Sequence, residues 1–201
     1  MTNASNDNHL FRPNSYIGRT VPRPNAKRLL NGRGNYTDDT KLPRMVHVAF
    51  LRSPYAHARI NKIDKNQAIK APGVVAVVDG HDIAKVCAPW VGVLAHLEGM
   101  KSAEQHALAI KKASWEGEPV VAIVASTRAL AEDALELIKV EWDILPVVTD
   151  MEAALEEDAE VIHESLGDNL AWRRTMDAGD VGASFNHAAH IIEERYISNR
   201  H

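Results

Sequence analysis

One cysteine, Cys87, stands among 201 residues. That excludes an intramolecular disulfide and any four-cysteine iron–sulfur or zinc site made by this chain alone. Missing too is any apolar run near the ~20 residues that a membrane helix requires. The opening Met1–Asn8 is polar and lacks the apolar stretch of a secretory signal. A reduced, soluble, cytoplasmic chain is therefore expected. Positive charge is not in excess: Lys and Arg number 23 against 27 acids, a formal net charge of −4, so the basic footprint of a nucleic-acid binder is absent. No nucleophile elbow, zinc-protease helix or kinase signature occurs. Gly32-Arg33-Gly34 lacks the third glycine of a dinucleotide fingerprint, and Gly179-Asp180-Val181-Gly182 lacks the lysine and hydroxyl residue of a phosphate loop. Both read as turns.

What is present describes an ordinary globular protein. Apolar residues make up 45% and charged residues 25%, enough for one sizeable core in one or two domains. Charge is unevenly spread. Eight basic residues between Arg12 and Arg44 face only Asp38 and Asp39, whereas eleven acids between Glu132 and Glu160 face only Lys139. Such blocks read as solvated surfaces, or as docking surfaces for a larger neighbour.

Residues 1–30 read as an extended arm. Pro13, Pro22 and Pro24 break any helical period, so Thr20 to Arg28 is expected to form a cationic strap. Asn31 to Asn35 is a turn cluster. Met45 to Arg52 reads as a strand stopped by Ser53-Pro54-Tyr55, with Ala58 to Ile63 as its return strand. Val74 to Val78, rich in β-branched side chains, suits a central strand. His81 to Lys85 fits a short helix. Residues 86–116 show no period and are expected to be irregular with short helical turns.

Pro119 to Ala125 is a buried-strand pattern. Ser126 or Thr127 is the N-cap of a following helix whose Leu130, Ala131, Ala134, Leu135 and Ile138 recur at helical spacing. Val140 to Asp143 returns as a strand, and the connecting length suits a crossover within one sheet. Asp150 is expected to cap a helix over Met151 to Glu157, and His190 to Ile197 to form a late strand.

Candidate chemistry is sparse. His187 and His190 lie three apart, but the strand reading puts them on opposite faces, so they read as surface histidines rather than metal ligands. The remaining histidines are scattered. Cys87 precedes Ala88-Pro89-Trp90 and reads as an inert packed thiol. Acid, base and nucleophile are nowhere supplied together.

The order Arg19, Pro22-Arg23, Arg28 to Asp39, then Phe50-Leu51-Arg52-Ser53-Pro54-Tyr55-Ala56-His57-Ala58, resembles the large subunit of the molybdenum hydroxylases. That family comprises the xanthine dehydrogenases, aldehyde oxidases and aerobic carbon monoxide dehydrogenases. Pro72 to Val77, Gly117 to Ala125, Val140-Glu141-Trp142 with Leu145-Pro146, and Gly179-Asp180-Val181 with Glu194-Arg195-Tyr196 are similar to further blocks in the same order. The resemblance implies an α/β (α+β) hammerhead domain, a mixed sheet with helices packed on it, over residues 31–150. Residues 1–30 would be the arm, and 151–201 a linker helix and the start of the molybdenum-cofactor-binding domain.

It further implies an N-terminal portion, truncated or split, of an oxidoreductase large subunit that hydroxylates an aldehyde or N-heterocycle, or oxidises carbon monoxide. Its cofactor would be molybdenum-molybdopterin in the cytosine dinucleotide form. Partners would be the rest of the large subunit, an FAD-binding medium subunit and a small subunit with 2Fe-2S clusters, and neither nucleic acid nor membrane. The glutamine beside molybdenum, the pterin loops and the late catalytic glutamate have no matching position here. No catalytic, cofactor-binding or metal residue is therefore carried over, and the isolated chain is expected to be inactive. Arg19, Arg23, Arg28 and Arg33 are the candidate partner-docking residues. The alternative is a non-catalytic assembly module, or a gene remnant, using the same fold.

Overall fold

The computed structural model describes Tyr16, residues 20–92, Leu94 and residues 96–198. Arg19 lies outside the described residues. The chain divides into two units, residues 1–45 and residues 46–201.

In the first unit the expected strap is only partly extended. Helix α1, Ala26–Leu30, forms directly after the prolines. Pro22 and Pro24 precede the first helical residue, so their missing amides remove no helical hydrogen bond. Ala-Lys-Arg-Leu-Leu is a run of strong helix formers, and the side chain of Asn25 accepts from Arg23 Nε at 2.8 Å. The turn expected at Asn31-Gly32 follows, with Gly32 at φ +68°.

The second unit is built around β7, Pro119–Ala125, flanked antiparallel by β1, His47–Arg52, and β3, Val74–Asp79. A second sheet places β2, Ala58–Asp64, between β6, Lys112–Ala113, and β8, Lys139–Ile144. A small hairpin pairs β4, Trp90–Val91, with β5, Glu104–Gln105. Helix α3, Arg128–Leu135, packs on β1 and β7 with Ala131 and Ala134 buried. The hydroxyl of Thr127 accepts from Leu130 N at 3.3 Å, the cap expected from sequence.

Several expectations change at this level. Every ladder among the described strands is antiparallel, where a mixed sheet was expected. β2 is not the return strand of β1, because the two lie in different sheets. The Val-rich β3 is an edge strand, and β7 is the centre. Helix α3 therefore connects two sheets rather than crossing over within one. Only a single 3-10 turn, Ala153–Leu155, forms where a helix from Met151 was expected, although Asp150 Oδ1 does accept from Glu152 N at 2.7 Å and Ala153 N at 3.1 Å. The late strand does not form. Helix α4, Val181–His187, occupies the stretch read as a turn, and residues 188–198 run without regular structure. Ile192 and Tyr196 are exposed. β-branched residues make a strand only when a partner ladder exists.

Helix α2, Gly80–Ile83, starts on a reciprocal cap. Asp79 Oδ1 accepts from Asp82 N at 3.1 Å, and Lys65 Nζ bridges the two carboxylates at 2.7 and 2.6 Å. The Lys65 ammonium and the backbone bond lower the Asp82 carboxyl from 3.8 to about 2. A carboxylate favoured in the folded state adds stability above its unfolded value, and that stability is lost as the pH falls through the folded one. Denaturant unfolding followed from pH 5 downward is thus expected to steepen between about 4 and 2, and Asp82→Asn to flatten it in that window. An unchanged profile in the variant means the bridge does not hold the carboxylate.

Candidate functional site

The sequence blocks from Arg52 and from Gly117 meet in space. Ser53 N donates to Glu118 O at 2.8 Å, Gly117 N donates to Ser53 O at 2.9 Å, and Arg52 Nη1 donates to Gly117 O at 2.9 Å. Ser53 Oγ accepts from Tyr55 N at 3.1 Å, tightening the turn after β1. His57, 2% exposed, donates from Nδ1 to Pro146 O at 2.7 Å, while its own carbonyl accepts from Leu145 N at 3.0 Å. Its Nε2 is buried without a partner. The motif around His57 thus pins the end of β8 at the point where the chain leaves the second sheet.

Residues beyond that point fold back on the same unit. Lys101 Nζ engages Asp168 and donates to Leu166 O, and Lys112 Nζ engages Glu164 at 2.8 Å and Ile162 O. The side chain of Asn169 holds Ala154 O, Glu160 O and Ile162 N. Trp172 Nε1 donates to Glu98 O at 3.2 Å. Sequence reasoning missed this strap, because a lysine that reaches a carbonyl fifty residues away carries no local signature. His57 was legible only as part of its block.

Open clefts border the strap. One, about 720 Å³, is lined in part by His106, Lys112, Trp115, Glu118 and His163. Burial raises the Glu118 carboxyl, against the backbone amides of Ser114 and Trp115 that it accepts. Burial and the neighbouring Lys112 and His57 lower His163. These groups anchor loops: Lys112 is already engaged by a carboxylate and a carbonyl, and Glu118 by amides. Among the described residues no three His, Cys, Asp or Glu side chains converge as metal ligands. His187 Nδ1 lies 2.7 Å from Ala183 O in its own helix, and His190 lies beyond that helix. Cys87 is exposed rather than packed, because it falls just after the α2 cap instead of on a core-facing position.

Arg23, Arg28 and Arg33 are all exposed in the first unit.

The free faces of the two sheets differ in chemistry. On the second sheet, Arg59 pairs with Asp143 at 3.8 Å and Lys62 with Glu141 at 3.5 Å across the β2–β8 ladder. The register shift between Ile60 and Lys62 keeps both cations on one side. On the first sheet the outward residues of β1 are Val48 and Phe50, 48% and 44% exposed. They oppose Val124 and Ala122 of β7, which in turn oppose Ala76 and Val78 of β3. The Arg52 guanidinium sits 5.8 Å from the Phe50 ring centre at the rim. These six apolar side chains form one patch on the outward face, with Val48 and Phe50 its most exposed members.

Comparison with known proteins places the chain in a family. The family model described as aldehyde oxidase and xanthine dehydrogenase, a/b hammerhead domain, matches residues 31–146. The nicotine 6-hydroxylase large subunit of Paenarthrobacter nicotinovorans is 36% identical over 197 residues, which is 96% of this chain and 24% of that protein. The xanthine dehydrogenase molybdenum-binding subunit of Escherichia coli O157:H7 is 34% identical over 175 residues, 87% of this chain and 23% of that protein. The crystal structure of quinoline 2-oxidoreductase from Pseudomonas putida 86 superposes with a TM-score of 0.77 at 41% identity, covering 87% of this chain and 22% of that one. The chain spans about a quarter of the length of these relatives.

Proposed function

The chain belongs to the aldehyde oxidase and xanthine dehydrogenase family through its a/b hammerhead domain, and from that premise we propose that it is the N-terminal portion of a molybdenum-dependent hydroxylase large subunit. Its role there is to shape and hold the enzyme rather than to react. The observation that carries this reading is the domain match over residues 31–146, together with relatives about four times longer. The alternative of a stand-alone module is not favoured by relatives in which this domain is about a quarter of a larger subunit.

Molybdenum-molybdopterin, in the cytosine dinucleotide form, would supply hydroxylation of an aldehyde or N-heterocycle, or oxidation of carbon monoxide. The residues described here do not fit that group. Lys101 and Lys112 are committed to Asp168 and Glu164, and among the described residues no three His, Cys, Asp or Glu side chains converge as metal ligands. We assign the cofactor to the rest of the large subunit, and FAD and 2Fe-2S clusters to a medium and a small subunit. Among the described residues no helix is long and apolar enough to cross a membrane; the assembly is proposed to be cytoplasmic.

Arg23, Arg28 and Arg33 are proposed to dock a partner subunit, since exposed guanidiniums recognise carboxylates in a planar, two-bonded fashion. The test is to co-produce a tagged chain with the rest of the large subunit and the two partner subunits from the same genome. The chain is expected to co-purify with them and to show no turnover of aldehyde, N-heterocycle or carbon monoxide alone. Turnover by the isolated chain, or failure to co-purify, overturns the reading. Changing all three arginines to alanine is expected to reduce recovery about tenfold, near 1.4 kcal/mol. Unchanged recovery removes their docking role.

A further inference from the structure

We propose that the outward face of the β1–β7–β3 sheet, centred on Val48, Phe50, Ala122 and Val124, is the seat of the remaining large-subunit polypeptide. This inference rests on the proposed function and names the surface through which it is exercised.

The argument starts from what water tolerates. Strands alternate their side chains between two faces, so each face of a sheet meets one environment. The inward residues of this sheet, Ala49, Val77, Val121 and Ile123, enter the core with α3. The outward ones would meet solvent, and the neighbouring second sheet shows what this chain places on a solvent face: two cross-strand ion pairs, Arg59–Asp143 and Lys62–Glu141. The first sheet has none on its outward face. Its cross-strand pairs there are Val48 with Val124 and Phe50 with Ala122, with Ala76 and Val78 on the far side. An apolar centre with one arginine at its edge is the composition of a permanent interface rather than a transient one.

The occupant follows from chain length. Relatives whose sequences run about four times further contain this same domain. A permanent partner covalently continuous with the domain, or folded with it, needs no charge steering to find its seat, and this face carries charge only at its Arg52 rim. A second copy of the chain would satisfy the same face in a symmetric dimer. That is a distinct, measurable outcome.

Surface labelling tests this directly. In a Cys87→Ser background, Val48→Cys and Val124→Cys report on the apolar face and Lys62→Cys on the charged one. Each is made in the free chain and in the complex with the rest of the large subunit, and reacted with a maleimide. Labelling at Val48→Cys and Val124→Cys is expected to slow about tenfold or more on assembly, as at a dry interface core, while Lys62→Cys reacts equally in both states. Equal rates at all three sites in a complex that does co-purify overturn this inference and leave the proposed function standing. Failure of the unmodified chain to co-purify overturns the function itself. Slow labelling already in the free chain overturns the inference too; sedimentation then shows whether a second copy or the chain's own residues cover the face.

Discussion

Ile123→Ala is expected to lose about 3–4 kcal/mol of unfolding free energy, the range for removing a fully buried branched side chain without collapse of the site. Ile123 is completely buried on the central strand, opposed by Ala49 on one side and Val77 on the other. The cavity cannot be refilled cheaply. The strands on both sides are fixed by their ladders, and the helix above contributes Ala131 and Ala134, whose side chains are too short to swing in. Urea unfolding should move the midpoint down with little change in slope. Val124→Ala, one residue further on the outward face, is expected to lose less than about 1 kcal/mol in the free chain, since part of that side chain already meets water. Equal losses at the two positions would contradict the assignment of the two faces of β7.

Gly80→Ala is expected to destabilise by about 3 kcal/mol, against what helix propensity alone indicates. Alanine in place of glycine normally favours a helix by about 1 kcal/mol, and Gly80 opens α2. A Cβ there would lie 2.4 Å from Ala109 O and 2.9 Å from Ile110 Cγ1. The closer obstacle is backbone, so the 109–110 segment or α2 must move, and overpacking of this kind costs more than the propensity gain. Gly182→Ala in α4 supplies the contrast. Its Cβ would meet nothing nearer than Asp180 Oδ1 at 3.7 Å, so that variant should be neutral or slightly stabilising. Thermal unfolding of both variants decides the matter, and a neutral Gly80→Ala means that α2 does not pack against residues 109–110.

The local signals that held were those whose physics is complete within a few residues. Pro119 to Ala125 is a strand because the six small or β-branched apolar residues after Pro119 suit the central place between β1 and β3. Thr127 caps α3 because its hydroxyl needs only the amide three residues on. The block from Phe50 to Ala58 was recognisable as a block. Its reason for existing, the bonds from Ser53 and Arg52 to Gly117 and Glu118 and from His57 to Pro146, joins segments 65 to 89 residues apart. No window of sequence contains both ends of such a contact.

What failed did so for one shared reason. Ile191, Ile192 and Tyr196 have strand propensity, yet no neighbouring edge pairs with them. Met151 to Glu157 has a cap, yet Asn169 holds the Ala154 carbonyl instead of a continuing helix. Cys87 has apolar neighbours in sequence but solvent around it in space.

By itself the sequence determined the family and the main strands and helices near the domain's centre, because each of these depends on residue type and short spacing. Only the tertiary structure decided which strands share a sheet, which face of that sheet lies bare, and that residues beyond 150 are tied back by Lys101 and Lys112. Pairing and exposure are set by whichever distant segments reach the same place, and the free energy of that meeting is written in no single stretch of the chain.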